Sequence, residues 1–229
     1  MKCELQTWNA YQHIAAISED TKRAFLSKFP SLSSRVIVIE NILSVNFIRE
    51  QALLEKPQLH GEIKLLTIGR FCYAKALDRA VEVCARLIKN GIPIKWYIIG
   101  YGDDSDIQRA IEEYNMQEHF IILGKKLNPY SYIAACDIYI QPSRYEGKAV
   151  TVREAQILGK PVVITDFNTS ASQLRNGFDG LIVPMDIDGA AKGIQSLIEN
   201  KALQEEFRKN MKATDYGNSD EVEFIYSLL

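Results

Sequence analysis

The sequence predicts an α/β protein built around one parallel sheet of about six strands, and three observations lead there. From about Ile63 onward, short apolar runs alternate with amphipathic stretches, the pattern of strand-helix-strand units. Each run is four to six residues long, too short for a helix and mostly apolar, as suits a strand covered on both faces. The 229 residues are 47% hydrophobic and 24% charged, which excludes intrinsic disorder and supplies a sizeable core.

Taken in order, Ile14 to Ile17 reads as a strand, Ser18 as the N-cap of a helix through Phe29, Val36 to Ile39 as a strand, and about Val45 as the start of another helix. Pro57 to Gly61 is polar and turn-rich and reads as a linker. The six core strands are then Ile63–Ile68, Lys95–Ile99, Phe120–Leu123, Asp137–Ile140, Pro161–Thr165 and Gly180–Val183. Between them Leu77, Ala80, Val81, Cys84, Leu87 and Ile88 repeat at helical spacing, as do Ile107, Ala110, Ile111 and Tyr114. After Val183 come helices near Ile187–Glu199 and Lys201–Lys212, the first with Asp186 or Asp188 available to cap it. A last amphipathic segment, Glu221–Leu229, follows Gly217-Asn218.

Composition narrows the function classes. Lys+Arg is 27 against Asp+Glu 29, so no basic excess exists to grip a phosphate backbone, and no nucleic-acid partner is expected. No apolar run approaches the ~20 residues that cross a bilayer, and the first ten residues lack the apolar core of a signal peptide, so a cytoplasmic chain is expected. Cys3, Cys72, Cys84 and Cys136 lie far apart and read as free thiols. His13, His60 and His119 are equally scattered, so no metal site is expected.

Two segments carry chemistry. The loop Gly69-Arg70-Phe71-Cys72-Tyr73-Ala74-Lys75 follows a buried strand, at the carboxyl end where open α/β sheets bind ligands. Arg70 and Lys75 would either clamp a diphosphate there or form a solvated loop, and spacing alone favours the solvated loop. The second segment runs from Gln141 to Ala155. Gly147 frees its backbone for close approach, a helix starting near Ala149 offers orphan N–H groups to a phosphate, and Glu146 stands at its mouth. Glu154 lies about two helical turns further on, where a carboxylate can accept both hydroxyls of a ribose. Lys125-Lys126 is either a solvated pair or a neighbour of the nucleotide.

Other readings fail on residues. Gly100-Tyr101-Gly102 lacks the third glycine of a dinucleotide fingerprint, which would fall at Ser105, and Asp103-Asp104 would repel a pyrophosphate. No P-loop and no Gly-x-Ser-x-Gly elbow occurs. The aspartates at 103–106 and 186–188 read as helix N-caps.

In their order, IGR-x4-K at Ile68–Lys75, IIGYGD at Ile98–Asp103, ILGKK at Ile122–Lys126, AACDIYIQPSRYEG at Ala134–Gly147, REAQILGKPVVITD at Arg153–Asp166 and NGFDGLIV at Asn176–Val183 resemble family 4 of the nucleotide-sugar-dependent glycosyltransferases. The resemblance implies the GT-B fold of two facing Rossmann-like domains, with this chain as the doubly wound C-terminal, donor-binding domain. It implies that Arg70 and Lys75 stabilise the leaving nucleoside diphosphate and that Glu146 attends the donor sugar, the three catalytic positions. It places Gly69, Lys125, Ser143, Gly147, Lys148, Ala149 and Val150 around the donor and Glu154 on its ribose. The implied donor is a UDP- or GDP-sugar, transferred with retention of configuration to a saccharide or lipid-linked acceptor, with no cofactor and no metal.

Departures accompany the likeness. Lys148-Ala149 stands where the family commonly has an aromatic residue and glycine, and Ala76 stands where a glycine follows the lysine. The resemblance divides the chain into residues 1–58, a remnant of an N-terminal domain with its linker; residues 59–212, the nucleotide-sugar-binding domain; and residues 213–229, a helix returning towards the first domain. The acceptor domain, with its catalytic histidine, is the expected missing partner, lost from a truncated form or supplied by a separate polypeptide. Without it Val222, Phe224, Ile225, Leu228 and Leu229 are expected to be partly uncovered, which favours self-association. The full-length protein would be cytoplasmic and peripheral to the inner membrane face. A non-catalytic nucleotide-sugar-binding or partner-assembly module is the alternative, favoured only if the motif residues were lost.

Overall fold

The structure is a computed structural model that describes residues 2–228, without the side chains of residues 2 and 3. In chain order the elements begin with α1 (Lys2–Asn9), β1 (Ile14–Ala16), α2 (Glu19–Lys28), β2 (Val36–Val38), α3 (Val45–Leu53) and β3 (Ile63–Ile68). The middle holds α4 (Leu77–Lys89), β4 (Ile94–Ile99), α5 (Ser105–Glu113), β5 (Phe120–Gly124), α6 (Pro129–Ala135) and β6 (Ile138–Gln141). The chain closes with α7 (Val150–Ile157), β7 (Val162–Thr165), β8 (Gly180–Val183), α8 (Ile187–Glu199), α9 (Lys201–Ala213) and α10 (Asp220–Tyr226). Two compact units result, residues 1–44 with 217–229 and residues 45–216.

In the smaller unit β1 and β2 pair in parallel, with Ile14 opposite Val36 and Ala16 opposite Val38. Ser18 caps α2 as the sequence predicts, its hydroxyl accepting from the Thr21 amide at 3.1 Å. Ile14, Ala16, Phe29, Leu32 and Val36 form the core, with Trp8 edge-on to Phe25 at 5.1 Å beside it. Asn218 joins the C-terminal segment to this unit by accepting from the Leu43 amide and donating to the Asn41 carbonyl, each at 3.0 Å. Helix α10 buries no residue: Phe224 and Tyr226 are exposed, and Val222, Ile225 and Leu228 are half-buried. Leu229 lies outside the described residues, as does the side chain of Cys3.

The larger unit is a six-stranded, all-parallel sheet in the order β5-β4-β3-β6-β7-β8. All six core strands lie within one residue of their predicted ends. Alternation across the sheet explains the two helical layers. Leu66, Tyr139, Val162 and Ile164 pack with Ile133 of α6 and Val152 and Ala155 of α7, whereas Trp96, Ile140 and Val163 face Ala80 of α4 and Ile194 of α8. Strand order reverses between β3 and β6, so the loops after those two strands open a crevice at the carboxyl edge.

The division between units falls at 44/45 and 216/217 rather than at 58 and 212. Helix α3 packs into the larger unit: Ile48 and Ala52 are buried, Phe47 meets Tyr130 edge-on at 6.2 Å, and Asn128 donates to the Gln51 carbonyl at 2.9 Å. Tyr216 stays there because its hydroxyl reaches Asp179 at 3.0 Å. Asp186 caps α8 through the Gly189 amide at 2.7 Å, while Asp188 pairs with Arg86 instead. Among the described residues no helix is long and apolar enough to cross a membrane.

Candidate active site

The loop after β3 is shaped by two close approaches. A Cβ on Gly100 would lie 1.9 Å from the Gly69 carbonyl oxygen, so only glycine lets the ends of β3 and β4 run this near one another. A Cβ on Gly69 would lie 3.1 Å from Cδ of Lys75, whose stem folds across that bare backbone. A tight turn at Tyr73–Lys75 swings the chain round and ends at Ala76 with φ 52°, the left-handed region in which a glycine would be unstrained.

The loop after β6 is clamped onto that turn. The Arg144 amide donates to the Ala74 carbonyl at 2.8 Å, and its guanidinium grips Asp78 at 3.0 and 2.7 Å while lying 4.1 Å over the Tyr73 ring. Partial burial works to raise the Asp78 carboxyl, but the hydrogen bonds and charge of Arg144 outweigh it and hold that carboxyl below its ordinary range.

Between the loops lies a cavity of about 390 Å³ lined by Gly69, Arg70, Lys75, Glu146, Gly147, Lys148, Ala149 and Val150, together with Cys72. The structure thus gathers both predicted cations, the first glutamate and the start of α7 in one place. Arg70 is exposed, with no ion-pair partner among the described residues. Lys75 is held: its Nζ lies 2.6 Å from Oε1 of Glu146 in an ion pair largely shielded from water. Ser143, fully buried beneath the cavity, donates to the same Oε1 at 2.6 Å, and Gln141 adds a third donor at 3.0 Å.

Three uncharged residues of this scaffold carried no signal in the sequence. Besides Gln141, Thr169 donates to the Glu146 carbonyl at 2.8 Å, and Gln173 donates to Thr169 at 2.9 Å. The Gln173 side-chain oxygen also accepts the Ala149 amide at 2.8 Å. That contact corrects one expectation: the Ala149 N–H is already engaged inside the protein, so this residue lines the cavity without offering its amide to a phosphate. Orphan N–H groups at the first turn of α7 remain the natural anion contact.

Three predicted residues lie apart from the cavity wall: Ser143 beneath it, Glu154 and Lys125. Glu154 sits one turn, not two, inside α7, because the chain becomes helical only at Val150. It is buried with Tyr130 as its partner, and burial pushes its carboxyl up to about 7 against the lesser opposing effect of that hydrogen bond. Lys125 follows β5 in an exposed position, its Nζ 5.6 Å from the Tyr101 ring centre. Of the thiols, Cys72 is exposed at the cavity, whereas Cys84 and Cys136 are buried and pushed up to about 12 by that burial.

Comparison with known proteins agrees with this architecture. A family model described as "Glycosyl transferases group 1" matches residues 50–214. A curated relative from Staphylococcus aureus, a poly(ribitol-phosphate) alpha-N-acetylglucosaminyltransferase, is 27% identical over 177 residues, 74% of this chain and 35% of its own length. A Campylobacter jejuni enzyme, an N-acetylgalactosamine-N,N'-diacetylbacillosaminyl-diphospho-undecaprenol 4-alpha-N-acetylgalactosaminyltransferase, is 28% identical over 76% of this chain and 47% of its own length. In fold the chain resembles a variant of S. aureus TarM solved with Fondaparinux, alpha-GlcNAc-glycerol and UDP, at a TM-score of 0.81 and 23% identity, covering 99% of this chain and 45% of that one. The chain therefore spans about a third to a half of the length of these relatives.

Proposed function

Because the chain belongs to the group 1 glycosyl transferases, we propose that it is the donor-binding part of a retaining enzyme that moves a sugar from a UDP- or GDP-sugar to a saccharide or lipid-linked acceptor in cell-surface polysaccharide synthesis. The observation that carries this reading is the cavity itself, where two cations, a glutamate and a helix N-terminus converge at the point of strand reversal. As the sugar bond breaks, negative charge gathers on the departing diphosphate. Arg70, Lys75 and the N-terminus of α7 stand where that charge develops, an arrangement worth several kcal/mol in sites of this kind. In this reading the cations need no metal beside them, Glu146 meets the donor sugar, and Glu154 accepts the ribose hydroxyls once the nucleotide lies over α7.

The acceptor half is the partner this reading calls for, joined to the smaller unit, whose two-stranded parallel sheet is less than such sheets ordinarily require. One relative's name specifies a diphospho-undecaprenol substrate, which supports work on a lipid-linked acceptor beside a membrane, and we place the protein on its cytoplasmic side. Association of two copies through the exposed apolar side of α10 follows when that half is absent, and sedimentation velocity tests it.

Calorimetric titration with UDP, GDP and ADP, with EDTA throughout, tests the donor site. Binding of one diphosphate is expected, weakened in Arg70→Ala through the diphosphate and in Glu154→Ala through the ribose. Diphosphate affinity untouched by Arg70→Ala would overturn the clamp. A purely assembling module would bind none of the three.

A further inference from the structure

Gln141 ends β6 with its side chain fully buried beneath the cavity. An amide carries two donor hydrogens and an acceptor oxygen, and a buried one needs partners for them. Here Nε2 donates to Ser143 Oγ at 2.8 Å and to Glu146 Oε1 at 3.0 Å, while Oε1 accepts from Tyr139 at 3.0 Å and from Thr151 at 3.3 Å. The orientation of the amide follows from these partners. Turned over, it would set its own oxygen 3.0 Å from a carboxylate oxygen, acceptor against acceptor.

The consequence falls on Glu146. Lys75, Ser143 and Gln141 all converge on Oε1, and no partner for Oε2 is found among the described residues, although Glu146 lines the cavity. One oxygen is bound into the protein and the other is left to a ligand. Tyr139 extends the network to the end of β3, its hydroxyl 3.4 Å from the Ile68 carbonyl immediately ahead of Gly69 and Arg70.

We propose that Gln141 is the positioning residue that fixes Glu146, holding Oε1 within the protein and turning Oε2 towards a hydroxyl of the donor's sugar. This rests on the donor-site reading above. Gln141 touches no ligand itself and acts through the carboxylate. Its signature is therefore selective: it governs the affinity that the sugar adds to the nucleotide, and not the affinity of the nucleotide alone.

The experiment measures binding of this chain to UDP, UDP-glucose, UDP-N-acetylglucosamine, GDP and GDP-mannose by calorimetry, for the wild type, Gln141→Leu and Ser143→Ala, with thermal unfolding of each variant. Gln141→Leu is expected to lose about tenfold of the sugar-dependent increment while diphosphate affinity stays within about twofold, the scale of one directed hydrogen bond. Ser143→Ala removes a second donor from Oε1 without touching Tyr139 or Thr151, and is expected to show the same split. An unchanged increment in Gln141→Leu overturns the proposal, as does an equal loss for diphosphate and sugar nucleotide in a variant that still unfolds at the wild-type temperature. Should Gln141→Leu fail to fold, Ser143→Ala decides by the same criterion. A wild type that binds a diphosphate but gains nothing from any sugar overturns this proposal alone, whereas one that binds no nucleotide at all overturns the donor-site reading and this proposal with it.

Discussion

Glu146 and Glu154 stand eight residues apart and differ in everything except side-chain type. Glu146 lies in a loop at the cavity wall, with three donors on one oxygen and a lysine among them. Glu154 lies buried on α7, with Tyr130 as its hydrogen-bond partner and no ion pair among the described residues, and burial pushes its carboxyl up to about 7. Spacing marks both residues but says nothing of their surroundings, and the surroundings decide what each carboxyl does. One is fixed by ion pairing and the other is poised to change its charge near neutral pH.

The largest effect expected from this contrast is that of Lys75→Ala. It would leave Glu146 shielded from water without its cation, a loss of about 3 kcal/mol in urea unfolding at neutral pH, along with most of the diphosphate affinity. The double variant Lys75→Ala with Glu146→Gln should recover much of that stability. If it recovers none, the pair is not what fixes Glu146.

Next comes the pH dependence of Glu154. Between about 4.5 and 7 the folded chain keeps a proton there that the unfolded chain has lost, so stability falls as pH rises through that window and levels off above it. The full difference amounts to about 3 kcal/mol at most. Comparing wild type with Glu154→Gln by urea unfolding at pH 5 and pH 8 isolates it, since the variant should lack this contribution and be the more stable at pH 8. Parallel curves for the two proteins would mean that Glu154 is charged throughout that window.

Smaller effects refine the loop that carries Glu146. Thr169→Val removes the donor to its carbonyl and should cost about 1 kcal/mol in the same assay. Ala76→Gly relieves the left-handed turn behind Lys75 and should stabilise by about 0.5 kcal/mol, part of the relief being offset by the loss of a buried methyl group. A destabilised Ala76→Gly would show that the methyl outweighs the strain.

The strands of the larger unit were legible because a strand covered on both faces is a short apolar run with polar residues at either end, as Ile63–Ile68 and Gly180–Val183 illustrate. Helix α6 was not foreseen: PYSYIAA is only seven residues long, too few to display a helical period, and its tyrosines also suit a strand. The charged site residues announced themselves through type and spacing. Gln141, Thr169 and Gln173 did not, because an uncharged amide or hydroxyl acquires its role only from partners brought to it by folding, such as Ala149, 24 residues from Gln173. The boundary at residue 44 was hidden for the same reason, since contacts made on folding, such as Phe47 on Tyr130 and Asn128 on the Gln51 carbonyl, show which unit α3 joins.

The contrast among the thiols has a practical use. Cys72 is exposed at the cavity, while Cys84 and Cys136 are buried with their thiols pushed up to about 12. Since the thiolate is the reactive form, a maleimide dye at neutral pH will attach to Cys72 well ahead of those two. With Cys3 replaced by serine, the cavity thus carries its own attachment point for a fluorophore, and emission from that position would report occupancy in real time.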